Sequence, residues 1–141
     1  GANGTLARIA PDGTHTVTTG FPDQANDIAP TVTWSGSTGW YVNYVGSGFV
    51  AQRFDATGSL VGAAIGVPTA REYVADGADL LALEVAAQHV SVVRVDSAGN
   101  ASPANEVGGG EITSAHVVRF GADLLVGWTR PGYLQVATTA P

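Results

Sequence analysis

Three arginines in this 141-residue chain each stand five residues before a glycine: Arg8 before Gly13, Arg53 before Gly58 and Arg94 before Gly99. Each is followed by an apolar residue, Ile9, Phe54 or Val95. An eroded fourth copy is Gln135-Val136, with Ala140 in the place of the glycine. The intervals are 45 residues (8 to 53), 41 (53 to 94) and 41 (94 to 135). A different part of the pattern repeats as well. Gly77-Ala78-Asp79-Leu80-Leu81 recurs verbatim as Gly121-Ala122-Asp123-Leu124-Leu125 at an interval of 44, and Gly36 opens the corresponding turn 41 residues before Gly77. Self-similarity at a period of about 20–50 residues marks a repeat architecture, in which a unit buries its apolar face on its neighbours.

Within the repeat the pattern is that of short strands. Leu6 to Ala10 and Thr14 to Thr19 flank the Pro11-Asp12-Gly13 turn, and Gly1 to Asn3 reads as a tail. Gly20 to Asp27 is polar and punctuated by Pro22 and Asn26-Asp27, which predicts a loop. Ala29 to Trp34 alternates apolar and polar residues, as a half-buried strand does. Trp40 to Val45, Phe49 to Asp55 and Val61 to Val67 then follow through glycine-rich turns, giving four antiparallel strands. The next unit repeats the plan with Glu72 to Ala75, Asp79 to Val85, Val90 to Asp96 and a weak Ala101 to Val107. The last has Thr113 to Phe120, Leu124 to Arg130 and Tyr133 to Thr138. Leu80 to Ala87 carries helix-favouring residues, but its twin at Leu124 runs into Gly127-Trp128-Thr129 before Pro131, so both are strands.

Composition narrows the function classes. Net charge is −6, and the six basic residues, all arginine, form no cluster. Nucleic acid, bound through neutralised phosphates, is not an expected partner. Without cysteine there is no disulfide, thiolate metal site or cysteine nucleophile. Charged residues are 13% of the chain, against an ordinary value of about 25%. No apolar run approaches the roughly 18 residues of a membrane span. Methionine is absent, so the sequence reads as a processed product or a piece of a longer one.

The middle unit resembles the blades of secreted or cell-surface bacterial β-propeller proteins. In those, an Ala-Pro-x-Val-x-Trp strand precedes an aromatic strand and an Arg-Phe-Asp-x-x-Gly hairpin. Here the elements are Ala29-Pro30-Thr31-Val32-Thr33-Trp34, Trp40-Tyr41-Val42 and Arg53-Phe54-Asp55-Ala56-Thr57-Gly58. The resemblance implies an all-β domain over residues 1–141 with propeller-like units at about 4–27, 28–70, 71–110 and 111–141. It also implies a bacterial, extracellular setting. No ligand motif comes with it, because such blades serve many functions.

A propeller ring takes about 4–8 blades. The third strand of the unit occurs four times here and the others three, so the units do not close a ring. The expected partners are therefore the chain itself, in a homo-oligomer or filament, or the remaining blades of a longer parent chain. A β-trefoil, with twelve strands in three units, is the alternative fold. The surplus strand and the lack of a Gln-x-Trp pattern speak against it.

No residue set points to catalysis. Asp12, Asp55 and Asp96 recur in glycine-containing turns, but calcium takes 6–8 converging oxygens and each turn offers one carboxylate. Asp12 is also out of register. Turn aspartates that bond their own backbone explain the pattern. Arg8, Arg53 and Arg94 read as structural rather than as an anion site. His15, His89 and His116 share no metal-ligand spacing, and no Gly-x-Ser-x-Gly elbow is present. Asn3-Gly4-Thr5 and Asn100-Ala101-Ser102 match the glycosylation pattern. Trp34, Trp40, Trp128 and Tyr133 are the candidate ligand-binding residues, as stacking platforms for sugars, although aromatic residues on strands commonly fill the core. The expectation is a non-catalytic module for glycan or protein recognition, adhesion or assembly, with no cofactor and no metal. A fragment of a propeller-type carbohydrate-active enzyme is the alternative.

Overall fold

The computed structural model describes residues 3–23, 30–86 and 88–141. Among these the protein is all-β, with strands in four small antiparallel sheets and no helix. Among the described residues no helix is long and apolar enough to cross a membrane. The first sheet is the hairpin of β1 (Asn3–Ile9) and β2 (His15–Pro22). The second is a meander of β3 (Thr31–Trp34), β4 (Thr38–Val45), β5 (Gly48–Asp55) and β6 (Leu60–Val67). The third repeats that order with β7 (Glu72–Asp76), β8 (Asp79–Ala86), β9 (His89–Val95) and β10 (Asn105–Gly109). The fourth has β11 (Ser114–Phe120), β12 (Asp123–Arg130) and β13 (Tyr133–Thr139). Each sheet is open. The chain gathers into two compact units, Gly1–Val67 and Pro68–Pro141.

The Asp-x-x-Gly turns make the hairpins. Gly58 N–H donates to the Asp55 carbonyl (2.9 Å) and Gly99 N–H to the Asp96 carbonyl (3.0 Å). Both glycines take a left-handed backbone, φ 87° and 91°, which is cheap only without a Cβ. The arginine of each copy then faces a residue eight positions on. Arg8 pairs with Thr16 and Arg53 with Val61, while Ser102 N–H donates to the Arg94 carbonyl. At the first turn Ala10, not Asp12, stands where Asp55 stands, because Gly13 N–H donates to Ala10.

Two readings of the sequence need correction. Gly20, Phe21 and Pro22 continue β2 instead of opening a loop, whereas Gln24 to Asp27 lie outside the described residues. Ala29, the expected start of the next strand, lies outside them too, as does Ala87. The second correction concerns the eroded copy. Trp40 pairs with Arg53 and Leu81 with Arg94, so Leu125, the twin of Leu81, should pair with the fourth copy. It pairs with Thr138, not with Gln135. The interval from Arg94 to Thr138 is 44, the same as that of the verbatim pentapeptide.

Each unit buries its core between two sheets. In the first, Leu6 from β1 and Phe21 from β2 pack on Tyr41 and Phe54 from the second sheet. In the second, Leu81, Leu83, Val90 and Val92 of the third sheet meet Ala115, Leu124, Val126 and Trp128 of the fourth. Fully burying one such aliphatic side chain is worth about 1.5–3 kcal/mol relative to leaving it in water. Polar bonds join the first strands of these two sheets: Glu72 Oε2 accepts Val117 N–H (2.8 Å), and Asp76 holds Arg119.

Candidate functional site

Trp34 is the last residue of β3 and remains 45% exposed. Its indole stacks on Phe54, with ring centroids 5.8 Å apart and planes within 19°. Phe54 is in turn held from behind by Phe21, edge-on at 6.1 Å, and Phe21 lies 4.8 Å from Tyr41. Phe54 can lie flat because its cross-strand partner is Gly39, where a Cβ would fall inside the ring. In the third sheet the same pair is Leu80 and Val95, so a glycine–phenylalanine pair in one repeat is replaced by two aliphatics in the next. The outcome is an aromatic face whose orientation is fixed by the core.

That face forms one wall of a cleft of about 250 Å³ within the first unit. Leu6 and Val32 supply further apolar wall, and Arg8 and Asp55 supply charge. Arg8 is exposed and makes no ion pair among the described residues. Asp55 Oδ1 accepts the Thr57 hydroxyl (2.6 Å), Thr57 N–H (2.8 Å) and Ser59 N–H (3.0 Å). The Thr57 hydroxyl above all, then those amides, holds the Asp55 carboxyl below the ordinary aspartate value of 3.8, so it stays charged at neutral pH. An apolar platform beside a guanidinium and a carboxylate can take a small molecule with one apolar face and hydroxyl-bearing edges.

Of the four aromatic candidates, the structure brings only Trp34 to this cleft. Trp40 is buried, with the Arg53 guanidinium 5.8 Å from its ring, and Trp128 is buried in the core of the second unit. Neither offers a free face, which removes both as stacking platforms. Tyr133 is exposed at the start of β13 and takes no part in the cleft. The sequence reading did not include Phe54, Phe21 or Arg8 as site residues. Phe54 stood in the repeat motif itself, and its flat stacking could be found only from its pairing with Gly39.

The repeated arginines have three different uses. Arg8 lines the cleft, Arg53 lies over Trp40, and Arg94 donates to Asp76 (2.6 Å) and Asp79 (2.7 Å). Burial alone would lower the Arg94 pKa, but those two carboxylates outweigh it and raise it. Arg94 also borders a smaller cleft of about 190 Å³ with Leu81, Val92, Ser102 and Asn105. The turn aspartates are similarly committed. Asp96 accepts Asn100 Nδ2 and two backbone amides, and Asp12 accepts the hydroxyl and amide of Thr14. Asn100, half of a glycosylation pattern, is thus tied into its own turn. The side chain of Asn3 lies outside the described residues. His89 Nδ1 lies 2.9 Å from Glu106 and His116 Nδ1 2.6 Å from Glu72. No group of three His, Cys, Asp or Glu side chains that could hold a metal ion occurs among the described residues.

The chain matches no family model, no curated protein and no solved structure.

Proposed function

We propose that the protein is a non-catalytic, extracellular β-propeller-type module, secreted or held at a cell surface, that binds a neutral sugar in the Trp34 cleft. The carrying observation is the exposed Trp34 face, fixed from behind by Phe54 and flanked by Arg8 and Asp55. The C–H face of a pyranose ring stacks on the indole, and its hydroxyls bond the guanidinium and the carboxylate. The blade reading draws support from meanders of four consecutive strands at the repeat interval, and from first strands β7 and β11 lying side by side. A trefoil has no need of that adjacency. Partners of this module are a glycan or glycosylated protein and further blades, from a second copy or a longer parent chain.

A glycan array followed by titration calorimetry tests this reading. The expected result is binding of a hexopyranose that Trp34→Ala abolishes and Trp128→Phe leaves unchanged. Binding that survives Trp34→Ala overturns the site. Turnover of a sugar substrate that is lost when one carboxylate is changed overturns the non-catalytic reading.

A further inference from the structure

The fourth sheet carries a bare apolar face whose counterpart in the third sheet is covered. Moving 44 residues along the chain takes Leu81 to Leu125, Val90 to Leu134 and Val92 to Val136, and the pairings Leu81–Arg94 and Leu125–Thr138 fix that register. Leu81, Val90 and Val92 are buried against the fourth sheet. Their counterparts keep apolar character, yet Leu134 is 71% exposed and Val136 56%. Singly exposed apolar residues are ordinary, but a contiguous patch marks an interaction site.

The repeat also identifies what a sheet uses to cover such a face. Ala137 of β13 packs into the core formed with the third sheet. Going back 44, 41 and 45 residues from Ala137 leads to Val93, Gln52 and Ala7. Ala7 shares its face of β1 with Ile9, two residues on, and pairs with Val17 of β2. On that face Ile9 is 70% exposed and Val17 52%. Among the described residues the fourth sheet thus bares a face of the kind that is covered, and the first sheet a face of the kind that covers.

We infer that the fourth sheet of one molecule packs face to face on the first sheet of a second copy, through Leu134 and Val136 against Ile9 and Val17. The two surfaces differ, so the contact is heterologous and propagates head to tail. It is a contact of faces, not a pairing of edges: β1 and β13 are the same strand of the repeat, so neither supplies a strand that the other's sheet lacks. The inference rests on the blade reading but is independent of the sugar site, since none of these four residues lines the cleft.

Complementation tests it, with mass read by light scattering over a wide range of concentration. The intact chain is expected to run above its monomer mass of 14.3 kDa, increasingly so as it is concentrated. Leu134→Glu and Ile9→Glu should each give monomers, because each destroys one of the two faces. Mixed together they should recover a two-chain particle, formed by the one intact face of each. A chain that stays at 14.3 kDa throughout overturns the inference. So does a mixture that remains monomeric, or an Ile9→Glu protein that still self-associates, which would indicate a symmetric contact. Val136→Glu and Val17→Glu repeat the test should either first variant lose its cooperative melt. Trp34→Ala should leave association unchanged, so failure here is separable from failure of the sugar site.

Discussion

The first unit closes its sheets with three aromatic rings, Phe21, Tyr41 and Phe54, helped by Leu6. The second uses Leu81, Leu83, Val90, Val92, Leu124 and Val126 with one indole. The repeat positions are shared, but their occupants are not. Rings packed edge-on and stacked leave a gap at their margin, and in the first unit that gap is the cleft beside Trp34. In the second unit aliphatic side chains leave a smaller cleft of about 190 Å³ beside Arg94, and Glu72 and Asp76 of β7 reach across to β11. Both seams keep a cleft, and the larger one, beside Trp34, is the one with an aromatic wall. One backbone plan can thus be tuned toward stability or toward binding by residues at equivalent strand positions.

The comparison breaks most readily in the second core. Leu124→Ala should cost about 2–5 kcal/mol, the range for a buried leucine whose surroundings cannot collapse. Hydrogen exchange read strand by strand is the measurement, with lost protection expected first in β8, β9 and β12. An effect below that range would mean the second seam is no tighter than the first. In the first unit Gly39→Ala should cost about 1–3 kcal/mol by overpacking against Phe54. It should also weaken sugar binding, because the displaced ring supports Trp34. Unchanged calorimetry would separate the platform from its support.

The turns should behave alike in both units. Gly58→Val and Gly99→Val place a β-branched residue at the same left-handed geometry, so each should lose more than about 1 kcal/mol in urea unfolding. A neutral result at one site alone would show that the two hairpins differ. The smallest effect concerns acid. Asp55 and Asp96 have carboxyls held below 3.8, chiefly by the side chains of Thr57 and Asn100. A lowered folded value means that their contribution is complete above pH 3.8 and is lost as pH falls through the folded values below it. Thermal melts of Asp55→Asn across that acid range should show a flatter dependence on pH, since the amide oxygen still accepts while nothing titrates.

Much of this fold was legible because glycine punctuates it and each strand alternates. The strands from Thr38 to Asp55 and from Glu72 to Val95 lie within one or two residues of where pattern alone puts them. Phe21 was missed because Gly20 and Pro22 look like loop chemistry, while Pro22, as the last residue of β2, disturbs no later pairing. Matching residue identity puts the fourth copy three residues early, at Gln135, whereas strand register puts it at Thr138. Trp34 and Trp40 look equivalent in sequence. Only the packing of the sheets leaves the first half in water and covers the second.

The spacing of the third repeat carries a last consequence. The outer strand β6 starts two residues after Gly58, whereas β10 starts six after Gly99, with the bridge from Ala101 to Val95 and the Ser102–Arg94 hydrogen bonds between. The inner strands β7, β8 and β9 keep the pairing of β3, β4 and β5. Length variation is therefore confined to the periphery of a sheet, where a graft or a peptide tag after Gly99 would leave the inner register untouched. Such a chain can diversify at its rim while its scaffold is inherited unaltered.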